Sequence, residues 1–311
     1  MGEQVVNHSK PRRSRLSMKR AWPFYALLAP AFIVTFIFQY LPMFGIVIAF
    51  QDFKPWEGVT GSAWVGWDNF SAIFTLPDSR QVIVNTLVIS SMKIVTGITV
   101  PFVFALLLNE VRHMLFKRTV QTLVYLPYFL SWVILGGILI DVLSVKGGIV
   151  NQFLGLFGVD EIFFLGDGFW FRVTVIVTDI WKEFGFSAIV YLAALAGINP
   201  SLYEAAVIDG ANRWKQTLYV TIPSIMPVVV VVGTLSLGNI LNAGFDQIFN
   251  LYNPLVYSQG DVIDTFVYRN GLVGGAFSFG AAVGLFKSVI SFILIAVTYY
   301  LAYRFGKYRI F

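Results

Sequence analysis

Six runs of mainly apolar residues, near 24–50, 82–108, 120–143, 171–196, 225–241 and 281–303, are the feature that most limits what this chain folds into. About 20 apolar residues in helix cross a hydrocarbon core of about 30 Å. The runs therefore predict an all-α membrane protein with six transmembrane helices. Composition agrees, with only 13% charged residues where a soluble domain carries about a quarter. Asn239 and Asn242 interrupt the end of the fifth run, and prolines 30, 42, 101 and 127 lie within or beside runs. Packed neighbours tolerate such breaks. The first run is too long for a signal-peptide core and lacks a small-residue cleavage site, so it is expected to be retained.

Charge orients the spans. The segment 1–20, the 109–119 and 197–224 loops and the tail after Tyr303 hold 14 Lys and Arg. The other loops, 51–81, 142–170 and 242–280 with Asp141 and Arg172, hold five against 11 Asp and Glu. The positive-inside rule then places both termini and the 197–224 loop in the cytoplasm. Residues 1–20 read as a basic cytoplasmic segment and 21–311 as the membrane domain. The basic residues are spread over short polar segments, which fits topology and anionic headgroups rather than nucleic acid. There is no cysteine, and the two histidines, His8 and His113, lie in basic segments, so no thiol or histidine metal centre is expected. Trp56, Trp64 and Trp67 fit an interfacial belt, or contact with a sugar or partner protein.

One polar island stands out, "YEAAVIDGANRWKQTLYVTIP" at 203–223. Ser201 with Glu204 three residues on reads as a capping box. Asp209–Gly210 marks a turn, a second short helix is expected over 211–219, and Pro223 and Pro227 open the fifth span. Ala205, Ala206, Gly210 and Ala211 let another surface approach closely, and Trp214 is an anchor of the hot-spot type.

Inside the spans, charges cost about 3 kcal/mol or more each at mid-helix, so Lys93, Asp179, Lys182, Glu183 and Lys287 need partners or a cavity. Asp179 and Glu183 share a helical face with Lys182 close by. They fit an ion network between helices equally well as a polar path with Trp181 and Phe184 as stacking surfaces. Asp179 and Lys287 also fall towards outer helix ends, where Lys287 can snorkel. Asn239, Asn242 and Asp246, at three- and four-residue spacing, are expected on one face of the path, in a chemistry that suits sugar hydroxyls and interhelical hydrogen bonds alike.

The island also resembles a known motif. "EAAVIDG", then nine residues, then "VTIP" is similar to the EAA loop of binding-protein-dependent ABC importer permeases, with Val220 and Ile222 at the family's Ile and Leu positions and Pro223 matching. The stretches "VGWDNF", "FALLLNEVR", "DIWKEFGFSAIVYLAALAGINPSLYEAA", "GNILNAGFDQIFNLYNP" and "DVIDTFVYRNGL" look like the polysaccharide and complex-oligosaccharide branch. The resemblance implies a type I importer permease whose loop, about 199–223, inserts as a coupling helix into a cytoplasmic ATPase. Tyr203, Glu204, Ala205, Ala206, Asp209, Gly210, Ala211, Arg213 and Trp214 would serve that contact. It further implies a second, homologous permease subunit, two ATPase subunits, an extracytoplasmic sugar-binding protein and a bacterial cytoplasmic membrane. By the same resemblance Asp261 and Asp264 lie where the permease meets its binding protein or gates the cavity. No GxxxxGK[ST] phosphate loop occurs, so ATP and Mg would belong to the partner and this chain would bind no cofactor and be no enzyme. Two rivals are a proton-coupled secondary sugar transporter using Asp179 or Glu183 as relay, and a membrane glycosyl-transfer enzyme using paired carboxylates. Neither rival explains the loop.

Overall fold

The computed structural model describes residues 18–306, with side chains described for 21–300. Most of the basic N-terminal segment and the last five residues lie outside the described residues. The chain divides into two units, Met1–Val47 and Ile48–Phe311. In the first, helix α1 (Met18–Thr35) continues through a π turn, Phe36–Tyr40, into a 3-10 helix, Leu41–Phe50, that runs on into the second unit. The widened turn directly precedes Pro42, whose ring would otherwise press on the carbonyl four residues back.

In the second unit a short antiparallel hairpin pairs Gln51 with Trp64 and Asp52 with Ala63. Helix α2 (Ser79–Glu110) packs most extensively on α5 (Gly168–Ala196). Between them in sequence lie α3 (Met114–Tyr125), a 3-10 turn Leu126–Phe129, and α4 (Trp132–Val142). After α5 come α6 (Pro200–Ile208), α7 (Arg213–Gly238), α8 (Phe245–Leu251) and α9 (Phe277–Gly306). Ala21–Phe50, α2, α7 and Phe277–Tyr300 are each long and apolar enough to cross a bilayer. Two bent pairs, Met114–Phe129 with α4 and α5 with α6, bring the number among the described residues up to six if each is one span.

The third span is not one continuous helix over the expected 120–143, because it turns by 100° at Leu130–Ser131. Pro127 removes a donor there, and the Ser131 side chain caps the new helix by accepting from Ile134 N–H at 3.3 Å. The fifth span starts earlier than expected. The island's second helix is the beginning of α7, which runs through a π turn, Thr217–Thr221, straight into the apolar run. As in the first unit, the π turn sits just before a proline, here Pro223.

Three apolar clusters hold the second unit. Ile89, Phe171, Val175, Ile248 and Val262 join α2, α5 and α8. Val82, Leu241, Ile263, Phe266 and Phe279 form another, and Ala105, Ala188, Tyr191 and Ile225 close the end of the bundle nearest α6. The break at Asp261–Val262, between the short helices Tyr257–Gly260 and Ile263–Val267, is satisfied from within. Asn85 Nδ2 donates to the carbonyls of Ser258 and Asp261 at 3.2 and 3.0 Å, Thr86 Oγ1 accepts from Ile263 N–H, and Arg172 donates to Asn85 Oδ1 and to Gln259 O. Such backbone survives in an apolar setting only when its polar groups find partners inside the protein.

Gly185 on α5 lies against α3, where a Cβ would collide with the backbone carbonyl of Val124. Small residues at such crossings let helix backbones approach closely. Gly185→Ala is expected to lower stability by about 1–3 kcal/mol, the usual cost of overpacking. Gly137→Ala, with open space at the same distance, should keep or raise the unfolding midpoint in detergent. Equal midpoints for both variants would contradict the close contact.

Candidate functional site

A cavity of about 400 Å³ opens among α2, α5, the far end of α7 and the turn before α8. It is lined by Ser90, Lys93, Ile94 and Gly97 from α2, by Asp179, Glu183 and Ser187 from α5, and by Ser236, Asn239, Asn242, Ala243 and Gly244. Five of the residues expected on a polar path thus meet in one place: Lys93, Asp179, Glu183, Asn239 and Asn242.

The other three do not. Trp181 is 45% exposed on another face of α5. Asp246 is exposed in the first turn of α8 and outside the cavity lining. It cannot share a helical face with Asn239 and Asn242, because α7 stops at Gly238 and the chain turns through Gly244 before α8 begins. Lys182 is buried and points to the break in the third span. Its Nζ donates to the Tyr128 carbonyl at 3.0 Å, pairs with Glu183 at 3.1 Å, and lies over the rings of Tyr128 and Trp132 at 5.0 and 5.5 Å. A cation at the C-terminal end of a helical segment meets both an orphan carbonyl and the helix dipole.

Lys93 lies on the cavity wall but its donors are used within the chain. Its side chain is 10% exposed, and its Nζ contacts Asp179 at 2.9 Å, donates to Ala243 O at 2.8 Å and also donates to Gln247 Oε1. Those are the three N–H bonds an ammonium has. Gln247, itself buried, donates to Val175 O at 2.7 Å and to Thr178 Oγ1 at 2.8 Å. The knot fastens α2, α5 and α8 together. What the cavity offers a guest is therefore hydroxyl and amide chemistry, with Glu183 at its rim. The sequence gives no sign of Ser90, a residue of the cavity lining whose Oγ is buried and has no hydrogen-bond partner among the described residues. An orphaned polar atom of that kind is rare in a folded protein.

Elsewhere two further charges are accounted for. Lys287 pairs with Asp264 rather than snorkelling. Asp261, 1% exposed, pairs with Arg269 at 2.5 Å and accepts from Thr265 at 2.7 Å, so it is an anchor and not a surface carboxylate. Burial pushes its carboxyl pKa upward, against the hydrogen bonds from Thr265 and Arg269 that pull it down. Among the described residues no three His, Asp or Glu side chains gather as metal ligands.

The island forms a second feature at the opposite end of α7. Helix α6 leaves α5 at 67°. Its N-cap is Asn199, which accepts from Ser201 N–H at 3.1 Å, with Pro200 in the first turn. The capping box expected from Ser201 and Glu204 is not formed, because Asn199 already occupies the cap two residues earlier. Glu204 is exposed, as are Ala205, Asp209 and Gly210, whereas Tyr203, Ala206 and Ala211 are half-buried. The helix ends in a Schellman turn. Gly210 has φ +75°, Ala211 N–H donates to Ala206 O at 2.9 Å, and Gly210 N–H donates to Val207 O at 3.0 Å. Only glycine takes that backbone without strain. Asn212 then caps α7 through Lys215 N–H at 2.9 Å.

Arg213 pairs with Glu110, the last residue of α2, at 3.0 Å. The pair borders an apolar cavity of about 360 Å³ between α2 and α7, which Trp214, 74% exposed, also lines. Leu202, Val207 and Ile208 of α6 stand 47%, 61% and 86% exposed, an uncovered apolar surface that the motif reading passed over in favour of Trp214.

Residues 97–307 match the family model described as "Binding-protein-dependent transport system inner membrane component". The chain belongs to that family. As a member it is a membrane-embedded transport component, and the fold agrees with those of solved relatives. It is 42% identical to the polygalacturonan/rhamnogalacturonan transport system permease protein YteP of Bacillus subtilis (strain 168), over 97% of this chain and 95% of that one. It is 40% identical to Protein LplB of the same organism, over 95% and 93% of the two chains. A chain in the crystal structure of a bacterial ABC transporter involved in import of the acidic polysaccharide alginate superposes with a TM-score of 0.85 at 40% identity, covering 92% of this chain and 97% of that one. A chain of a bacterial alginate ABC transporter in complex with alginate pentasaccharide-bound periplasmic protein gives 0.86 at 38% identity, over 95% and 99%.

If the Lys93 knot holds three elements together, removing one partner must be costly. Lys93→Met is expected to destabilise the protein by about 3 kcal/mol, the range for breaking a buried ion pair. Adding Asp179→Leu to it should recover a large part of that loss in a double-mutant cycle read by unfolding in detergent. Additive losses would show that the two side chains act independently.

Proposed function

We propose that this chain is one of two homologous permease subunits of an ATP-driven importer in a bacterial cytoplasmic membrane, and that α6 is the coupling helix that seats in a groove of a cytoplasmic ATPase. The observation that carries this reading is the uncovered apolar surface of α6, Leu202, Val207 and Ile208, held at a fixed angle by the Asn199 cap and the Gly210 turn. Such apolar anchors with a polar surround suit a protein groove. The 14-to-five distribution of basic residues supports placing this loop and both termini on the cytoplasmic side.

The substrate in this reading is a polysaccharide fragment or oligosaccharide containing uronic acids, as the names of the relatives suggest. It is delivered by an extracytoplasmic binding protein. The Ser, Asn and Glu183 groups of the cavity contact its hydroxyls, with the second permease completing the wall. ATP and Mg are used by the two ATPase subunits, and this chain performs no covalent chemistry. A proton relay through Asp179 or Glu183 is disfavoured, because each carboxylate lies within 3.1 Å of its own lysine.

Two measurements test this. Gly210→Asp and Glu204→Lys should insert normally but lose ATPase co-purification or transport. Full transport with normal ATPase retention in both variants would refute the coupling role. A side chain at the left-handed Gly210 alone costs about 1 kcal/mol or more. For substrate, binding protein loaded with oligogalacturonide should stimulate ATP hydrolysis by the purified complex more than neutral oligosaccharides of equal length. Equal or reversed stimulation would remove the uronic-acid assignment.

A further inference from the structure

We infer that the hydrogen bond between Tyr203 and Thr221 is the link that makes α7 follow α6, so that Tyr203 is a positioning residue in coupling and not a contact to the ATPase. This rests on the coupling-helix reading above. The Tyr203 Oη and Thr221 Oγ1 atoms are 2.9 Å apart across 18 residues. Tyr203 is half-buried on the α7 side of α6, and Thr221 is 4% exposed within the π turn. The Thr221 hydroxyl also reaches the Gln216 carbonyl, five residues back, at 3.4 Å. A hydroxyl has one proton and two lone pairs, so Thr221 donates to Gln216 and Tyr203 donates to Thr221.

The geometry explains why one bond matters here. Helices α6 and α7 are joined covalently only through the 209–212 turn, and a single attachment lets one helix swivel about the other. The Tyr203–Thr221 bond is a second attachment, more than two helical turns along α7 from that turn, and two points fix the angle between the helices. It falls where α7 is least able to hold itself, because a π turn interrupts the regular ladder and Pro223 has no N–H to add. Beyond it α7 continues as α-helix, with Pro227 inside it, to Ser236, about 22 Å further on at 1.5 Å per residue, where it lines the polar cavity. A tilt imposed on α6 thereby reaches the cavity wall. Without the second attachment the π turn absorbs it.

The chain has no cysteine, so spin labels can be placed singly. With Val95→Cys on α2 and Leu237→Cys on α7 labelled in the assembled complex, the interlabel distance is measured before and after trapping with ATP and vanadate. The otherwise unmodified chain is expected to shift on trapping. Tyr203→Phe and Thr221→Val should each reduce the shifted-to-unshifted population ratio by about fivefold, the weight of one neutral hydrogen bond. The double variant should be no worse than either single, and Thr221→Ser should restore the shift. A full shift in Tyr203→Phe overturns the link while leaving the coupling reading intact. Loss of the ATPase subunits from both Tyr203→Phe and Thr221→Val also overturns it, since the pair would then serve assembly. Failure of the unmodified complex to bind the ATPase or to shift at all overturns the coupling reading, and the link with it.

Discussion

Helix α5 carries Asp179, Lys182 and Glu183 through an otherwise apolar bundle, and the need to give each charge a partner organises much of what surrounds it. A charge facing hydrocarbon is costly, and each of these has a partner. Asp179 takes Lys93 from α2, and the same lysine reaches the backbone before α8. Lys182 turns the other way and fills the break between the two halves of the third span, where it meets the freed Tyr128 carbonyl. Two of the three side chains thus tie α5 to other elements, Asp179 to α2 and Lys182 to the third span at Tyr128 and Trp132, while Glu183 pairs with Lys182 on α5 itself. The apolar clusters give those contacts their mass, and the ion pairs select which helices meet.

The same helix connects the two features of functional interest. One stretch of α5 contributes Asp179, Glu183 and Ser187 to the cavity, and its end bends into α6. Helix α7 does the reverse, starting beside α6 and delivering Ser236 to the cavity. The motif loop is therefore continuous, on both sides, with helices that line the cavity. Both breaks in regular helix on these routes have identifiable causes, the bend after α5 at the Asn199–Pro200 cap and the π turn ahead of Pro223.

Much of this was legible in the residues. The six apolar runs recur as mainly helical segments, the third broken at Leu130–Ser131, and the island does form helix, glycine turn, helix, with Gly210 in the left-handed region. The charges picked out within the runs are each partnered. The misses have separate causes. Asn199 outcompeted Ser201 as a cap because it stands before a proline already suited to the first helical turn, a choice between two local signals of equal form. Asn239, Asn242 and Asp246 were assigned one face on the assumption that the helix continued past Gly238. Ser90 carried no signal, since a serine in an apolar run looks the same whether or not its hydroxyl is orphaned.

What the sequence determined by itself, then, is whatever depends on neighbours along the chain: the spans and their order, the turn at Gly210, the spacing of the loop motif, and the list of charges that lipid could not accommodate. What only the tertiary structure decided is how those charges are satisfied and where the helices break. Lys93 and Asp179 are separated by 86 positions, and Tyr203 and Thr221 by 18 across a reversal of direction. Hydropathy reports the cost of placing a polar group in the bundle, a property of the residue alone. Which group offsets that cost is set by helix packing, and packing joins atoms with no fixed relation in the chain.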